Sequence, residues 1–118
     1  MAFCSYRELI VWQKAMDLVD EVYLLVKELP KEEQFALSNQ LRRAVVSIPS
    51  NIAEGQGRNT RKDFIQFLSI ARGSVFEVET QLLICVRQNY ISEAQAHKSL
   101  HLCAEVGRIL TKMTANPK

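Results

Sequence analysis

Phe64, Leu68, Ala71, Val75, Val78, Leu82 and Cys85 recur at alternating steps of four and three. That spacing places them on one stripe of an α-helix, the pattern of a seam between packed helices. The chain on either side supplies partners for the seam. Leu9, Trp12, Met16, Val19, Tyr23 and Val26 form one helical series, and Val11, Ala15, Leu18, Val22, Leu25 and Leu29 form a second beside it. Together they cover about four of every seven positions, more than the ~100° arc a single core requires. Something beyond the monomer's own core is therefore expected over the remainder.

Pro30 ends this first helix, because the residue before a proline is driven out of helical geometry. A second helix is predicted from Lys31 to Ala53, with Leu37, Leu41, Ala44, Ile48 and Ile52 near one face and Val45 beside them. Pro49 lies inside it and predicts a kink near Val45 to Ser50, eased by Ser47 bonding back to the backbone. Gly55-Gln56-Gly57-Arg58-Asn59 reads as a loop, and Thr60 followed by Asp63 reads as the N-cap of the third helix. Gly73, inside that helix, reads as a point of close helix packing. Ser92-x-x-Gln95 is a capping box opening a fourth helix, whose apolar positions include Ala96, Leu100, Cys103, Val106, Leu110 and Met113. Short turns favour antiparallel neighbours, so the expected fold is all-α. It is an up-down-up-down four-helix bundle, a single domain over residues 1–118, with 1–6 and 114–118 frayed.

With 118 residues, 47% hydrophobic and 24% charged, the chain suits one soluble domain with a real core. It has no stretch of ~20 apolar residues and no signal-peptide pattern, so a cytoplasmic location and no membrane partner are expected. Cys4, Cys85 and Cys103 form no C-x-x-C pair, which argues for reduced thiols rather than a disulfide or zinc site. No cofactor is expected.

Charge is unevenly spread. Residues 1–33 hold four Lys/Arg against seven Asp/Glu, whereas residues 34–72 hold six against two. Those six, Arg42, Arg43, Arg58, Arg61, Lys62 and Arg72, are the candidate nucleic-acid-binding residues, a basic surface suited to phosphate. Against this, Arg42 and Arg43 could pair with Glu54, Glu77 or Glu79, within the bundle or across a subunit boundary. Arg58, Arg61 and Lys62 could be no more than a solvated turn. Trp12, Phe64 and Phe67 fall on apolar helical faces and read as packing residues rather than base-stacking platforms, so backbone and shape contacts are expected to dominate. Phe76 and Tyr90 are outside those apolar faces and could stack a base.

Chemistry is harder to find. His97, His101 and Glu105 lie four apart along one stripe, a spacing that can hold a divalent metal but more often marks an exposed polar face. Ser47, Ser50, Ser69 and Ser74 have no histidine nearby in sequence, and Gly55-x-Gly57 lacks the strand of a nucleotide-binding loop. No catalytic or metal site is assigned.

Three blocks, in order, carry a resemblance. They are Val11-Trp12-Gln13-Lys14-Ala15; Gln40-Leu41-Arg42-Arg43-Ala44 running through Ser47-Ile48-Pro49-Ser50-Asn51-Ile52-Ala53-Glu54-Gly55 to Gly57-Arg58; and Phe67-Leu68-Ser69-Ile70-Ala71-Arg72-Gly73-Ser74. Through them the chain resembles the four-helix-bundle proteins encoded in intervening sequences of bacterial 23S ribosomal RNA. The resemblance implies a homopentamer of bundles, with no known enzymatic activity and an unsettled cellular role. A related branch, the accessory variability proteins of diversity-generating retroelements, binds nucleic acid and a reverse transcriptase. The partners it suggests are thus further copies of the chain, RNA or DNA, and in that branch a reverse transcriptase. Repetition around a ring would let several weak basic patches engage one polynucleotide. The expectation is a non-enzymatic oligomeric bundle associated with RNA; the alternative is a structural or protein-interaction scaffold that binds none.

Overall fold

A computed structural model describes residues 5–115, and these form four helices with no strand among them. They are α1 (Ile10–Val26), α2 (Leu37–Gln56), α3 (Arg61–Arg87) and α4 (Glu93–Ala115). Each helix packs on its two neighbours in a closed square, α1–α2–α3–α4–α1, giving an antiparallel bundle of 49 × 24 × 20 Å. The antiparallel sense is visible in the pairings. Lys14 meets Glu105 at 3.4 Å and Glu21 meets Lys98 at 3.1 Å between α1 and α4. Between α2 and α3, the hydroxyls of Ser47 and Ser74 bond at 2.9 Å, and Gln81 Nε2 donates to Gln40 Oε1 at 3.4 Å.

The α3 seam is buried from Leu68 to Cys85, and only Phe64, at its first turn, stays partly exposed. On α1 the two apolar series separate. Val11, Ala15, Leu18, Val22 and Leu25 are buried, whereas Met16 and Tyr23 are 39% and 42% exposed. The wide arc thus reaches beyond the monomer's core. Cys85 and Cys103 are buried free thiols, and burial pushes them up to about 11 and about 12, so neither is a reactive thiolate near neutrality.

Several local expectations change. α2 does not start at Lys31: Lys31–Glu33 is a 3-10 turn after Pro30, and the backbone breaks at Ala36 (φ −120°, ψ −102°) before the helix begins at Leu37. The apolar pattern is silent there because Phe35, the one large apolar residue of the segment, is 87% exposed. In place of a side-chain cap from the residue before it, α2 has Glu33, whose Oε1 accepts from Leu37 N at 3.2 Å. At its other end α2 runs through Gly55 to Gln56, so the loop is shorter than its glycines suggest. Helical geometry continues through Pro49. Ser47 does not bond back to the backbone; the Asn51 side chain donates to Ser47 O at 2.8 Å, and the Ser47 hydroxyl is turned to Ser74.

The caps of α3 and α4 are as predicted. Thr60 Oγ1 accepts from Asp63 N, and Ser92 and Gln95 exchange reciprocal bonds of 2.8 and 3.0 Å. Of the termini expected to fray, residues 1–4 and 116–118 lie outside the described residues. Ser5 instead caps a 3-10 turn over Tyr6–Glu8, and Thr114 lies within α4.

Candidate nucleic-acid interface

The six predicted basic residues occupy three places. Arg42, half-buried, borders Tyr23 in the α1–α2 groove, and Arg43 is exposed beside it. Among the described residues, neither forms an ion pair with Glu54, Glu77 or Glu79; Glu54 is instead held by Arg58, one turn on. Both lie about 20 Å along α2 from its C-terminus, so they do not join the others.

Arg58, Arg61 and Lys62 gather at the corner where α2 turns into α3, all exposed. The corner exists because Gly55 lets α3 come in close. A Cβ there would stand 3.1 Å from Phe67 Cβ and 3.2 Å from the Phe64 carbonyl oxygen. Gly55, not Gly73, is therefore the close-packing glycine, since a Cβ on Gly73 would meet nothing within 4 Å. The two phenylalanines brought to the corner hold its arginines. Arg58 lies over Phe67 at 4.5 Å and Arg61 over Phe64 at 5.8 Å from the ring centroids. A guanidinium resting on an aromatic face is oriented yet keeps N–H groups at its edge for phosphate.

Arg72 lies a further ~15 Å along α3, on the side facing α4. Its Nε donates to Thr111 Oγ1 at 2.8 Å, Thr111 donates in turn to Gly107 O at 2.9 Å, and the guanidinium lies 5.0 Å over the Phe76 ring. Here the structure adds what the sequence pattern missed. Because α4 runs antiparallel to α3, its last turns bring Arg108 and Lys112 to a groove of about 560 Å³, and Arg72 sits at the edge of that groove through its contacts with two lining residues, Thr111 and Phe76. The groove has an apolar floor of Val75, Phe76, Cys103 and Gly107, with Glu79 its only acid. In sequence, Arg108 and Lys112 sit in a nearly neutral C-terminal third. Only their i, i+4 spacing could have marked them as one cationic face.

The corner lies at the end of the bundle that holds the α2–α3 turn and the end of α4, and the groove runs from mid-bundle toward that end, with Arg72, Arg108 and Lys112 on its nearer side. Glu28, Glu32, Glu33 and Glu93 lie at the opposite end, interspersed with Lys27, Lys31, Arg87 and Lys98. Other candidates stay apart. His97 and His101 stack at 6.4 Å on exposed α4, and Glu105 lies 4.0 Å from His101 Nε2 and 3.4 Å from Lys14. Among the described residues, no three His, Cys, Asp or Glu are placed to hold a metal ion. None of the described helices is long and apolar enough to cross a membrane.

Comparison with known proteins agrees with this architecture. The family model described as 23S rRNA-intervening sequence protein matches residues 7–112. A crystal structure of a protein of unknown function, from the S23 ribosomal protein family of Bacteroides thetaiotaomicron, superposes with a TM-score of 0.84 at 28% identity. It covers 91% of this chain and 100% of its own. No curated protein sequence gives a significant match.

Proposed function

The chain belongs to the 23S rRNA-intervening sequence protein family, and from that premise we propose that it is a non-enzymatic, self-assembling bundle that binds structured RNA through the basic half of its surface. The observation that carries this reading is the convergence of Arg58, Arg61 and Lys62 at one corner with Arg72, Arg108 and Lys112 around the neighbouring groove. Four of these belong to the basic set read from the sequence. Arg42 and Arg43 lie outside this footprint, beside Tyr23 in the α1–α2 groove. The family's name links these proteins to 23S rRNA without naming a ligand, and arginines resting on phenyl rings supply the means of holding a polyanion. Contacts to phosphate need no base sequence, so affinity should follow charge and shape.

Fluorescence anisotropy with a labelled RNA hairpin, titrated from low to near-physiological salt, tests the reading. Binding should weaken along a log–log line. Replacing Arg58, Arg61 and Lys62 with glutamine should lower the slope by about 2–3, near 0.9 for each phosphate no longer neutralised, with the fold unchanged. No binding at low salt would sink it and leave the scaffold reading. That reading has its own support in Ile70, Leu83 and Ile84, which are 46%, 48% and 39% exposed on α3.

A further inference from the structure

We propose that the groove between α3 and α4 receives a single unpaired nucleotide, its base against Phe76 and its phosphates on Arg72, Arg108 and Lys112. This inference rests on the RNA-binding reading and names the element of RNA that the surface selects. At about 560 Å³, the groove lies within the size range of small-ligand sites. A duplex cannot enter it, because its bases are stacked inward. The chemistry of the lining is divided as a nucleotide is divided. The floor is apolar, and the Phe76 ring is 48% exposed with the Arg72 guanidinium over one face, so a base would stack on that guanidinium or on the ring's other face. Two cations, Arg108 and Lys112, border that floor, and a third, Arg72, sits at its edge on Phe76 and Thr111. Arg72 is fixed through Thr111 to the α4 backbone, while Arg108 and Lys112 make no ion pair within the described residues. One acid, Glu79, borders the same groove. A carboxylate repels phosphate but accepts from the exocyclic amino group of adenine or cytosine, so those bases should be preferred to uracil.

The occupant differs from what the corner holds. Arg58, Arg61 and Lys62 can contact the backbone of paired or unpaired RNA, but only a base freed from its stack can reach Phe76. The protein should therefore favour loops, bulges or single strands.

The test uses short labelled RNAs, oligo(A), oligo(C) and oligo(U), and a blunt duplex of matched length. Each is titrated by anisotropy against the wild-type chain and against Phe76→Ala and Ala104→Trp. Ala104 is exposed and borders the groove, so a tryptophan there should fill it. Circular dichroism melts establish that each variant folds. Single-strand affinity should fall about tenfold or more in both variants, as expected for loss of a base–aromatic stack. Duplex affinity should stay within about twofold, and wild-type binding should rank oligo(A) and oligo(C) above oligo(U). A 2-aminopurine placed in the single strand should change its emission with the wild type but not with Ala104→Trp. Equal losses for both RNAs, or no loss for either, would overturn the inference while leaving the phosphate-binding surface in place. A change of assembly size with Ala104→Trp would overturn it too, since a second copy would then be covering the groove. Absence of binding by the wild type to any of these RNAs would remove both readings.

Discussion

Glu33 does two jobs with its two carboxylate oxygens. One caps α2 through Leu37 N, and the other accepts from the Tyr90 hydroxyl at 2.9 Å, tying the α1–α2 turn to the α3–α4 turn. The bond to Glu33, followed by burial, raises Tyr90 above its ordinary value of about 10. A proton held more tightly in the folded state stabilises it below the ordinary value, and that contribution is lost as pH climbs through the folded value. Thermal melts should therefore show wild-type Tm falling more steeply above pH 10 than that of Tyr90→Phe, which has no proton to lose. Asn89, in the same turn, adopts φ 64°, and the bonds Tyr90 N to Cys85 O and Asn89 N to Val86 O make a Schellman motif. The glycines of α2 and α3 give a second expectation. Gly55→Ala must displace the Phe64 backbone and should cost about 1–2 kcal/mol even after the helix-propensity gain. Gly73→Ala, open to solvent, should gain up to ~1 kcal/mol in the monomer. Chemical denaturation at low protein concentration would separate the two.

At the starts of α2, α3 and α4 a side chain replaces a missing backbone partner, and how near it lies in sequence decides which of these boundaries can be read. The α4 start is written in Ser92 and Gln95 and found there; Ser92→Ala should lower stability by about 1 kcal/mol, measurable by urea unfolding. The start of α2 is capped by Glu33 from four residues upstream, across a broken backbone at Ala36, and no local signature announces it. The α3 seam and the all-α class follow from periodicity alone, because burial on one face demands it. The candidate interface was half readable. Arg58, Arg61 and Lys62 are neighbours in sequence, so the turn that unites them is visible in the string. The grouping of Arg72 with Arg108 and Lys112 depends on α4 returning antiparallel beside α3, a long-range relation that local spacing does not encode. Arg42 and Arg43 belong to the same basic stretch of sequence but lie about 20 Å from the corner along α2, a separation that composition does not show.

At the scale of the molecule, apolar surface remains where no helix of the same chain covers it. Ile70, Leu83 and Ile84 are exposed on α3, and Ile10 and Leu24 on α1 at 60% and 57%. Light scattering should give a mass several times that of the 13.5 kDa chain, and Ile84→Glu with Ile70→Glu should bring it toward the monomer. A wild-type chain that is monomeric at high concentration would refute self-assembly through this face. The arrangement of charge along the bundle has a further consequence. With a net excess of cations in one half and of carboxylates in the other, each molecule is an electric dipole lying near its long axis. In the field of a polyanion it turns before it touches, arriving basic end first. Copies joined side by side about a rotation axis parallel to the bundle would add their dipoles rather than cancel them. The product would be a two-sided disc, adhesive to nucleic acid on one rim and repelled on the other, able to terminate on an RNA surface but not to sandwich between two.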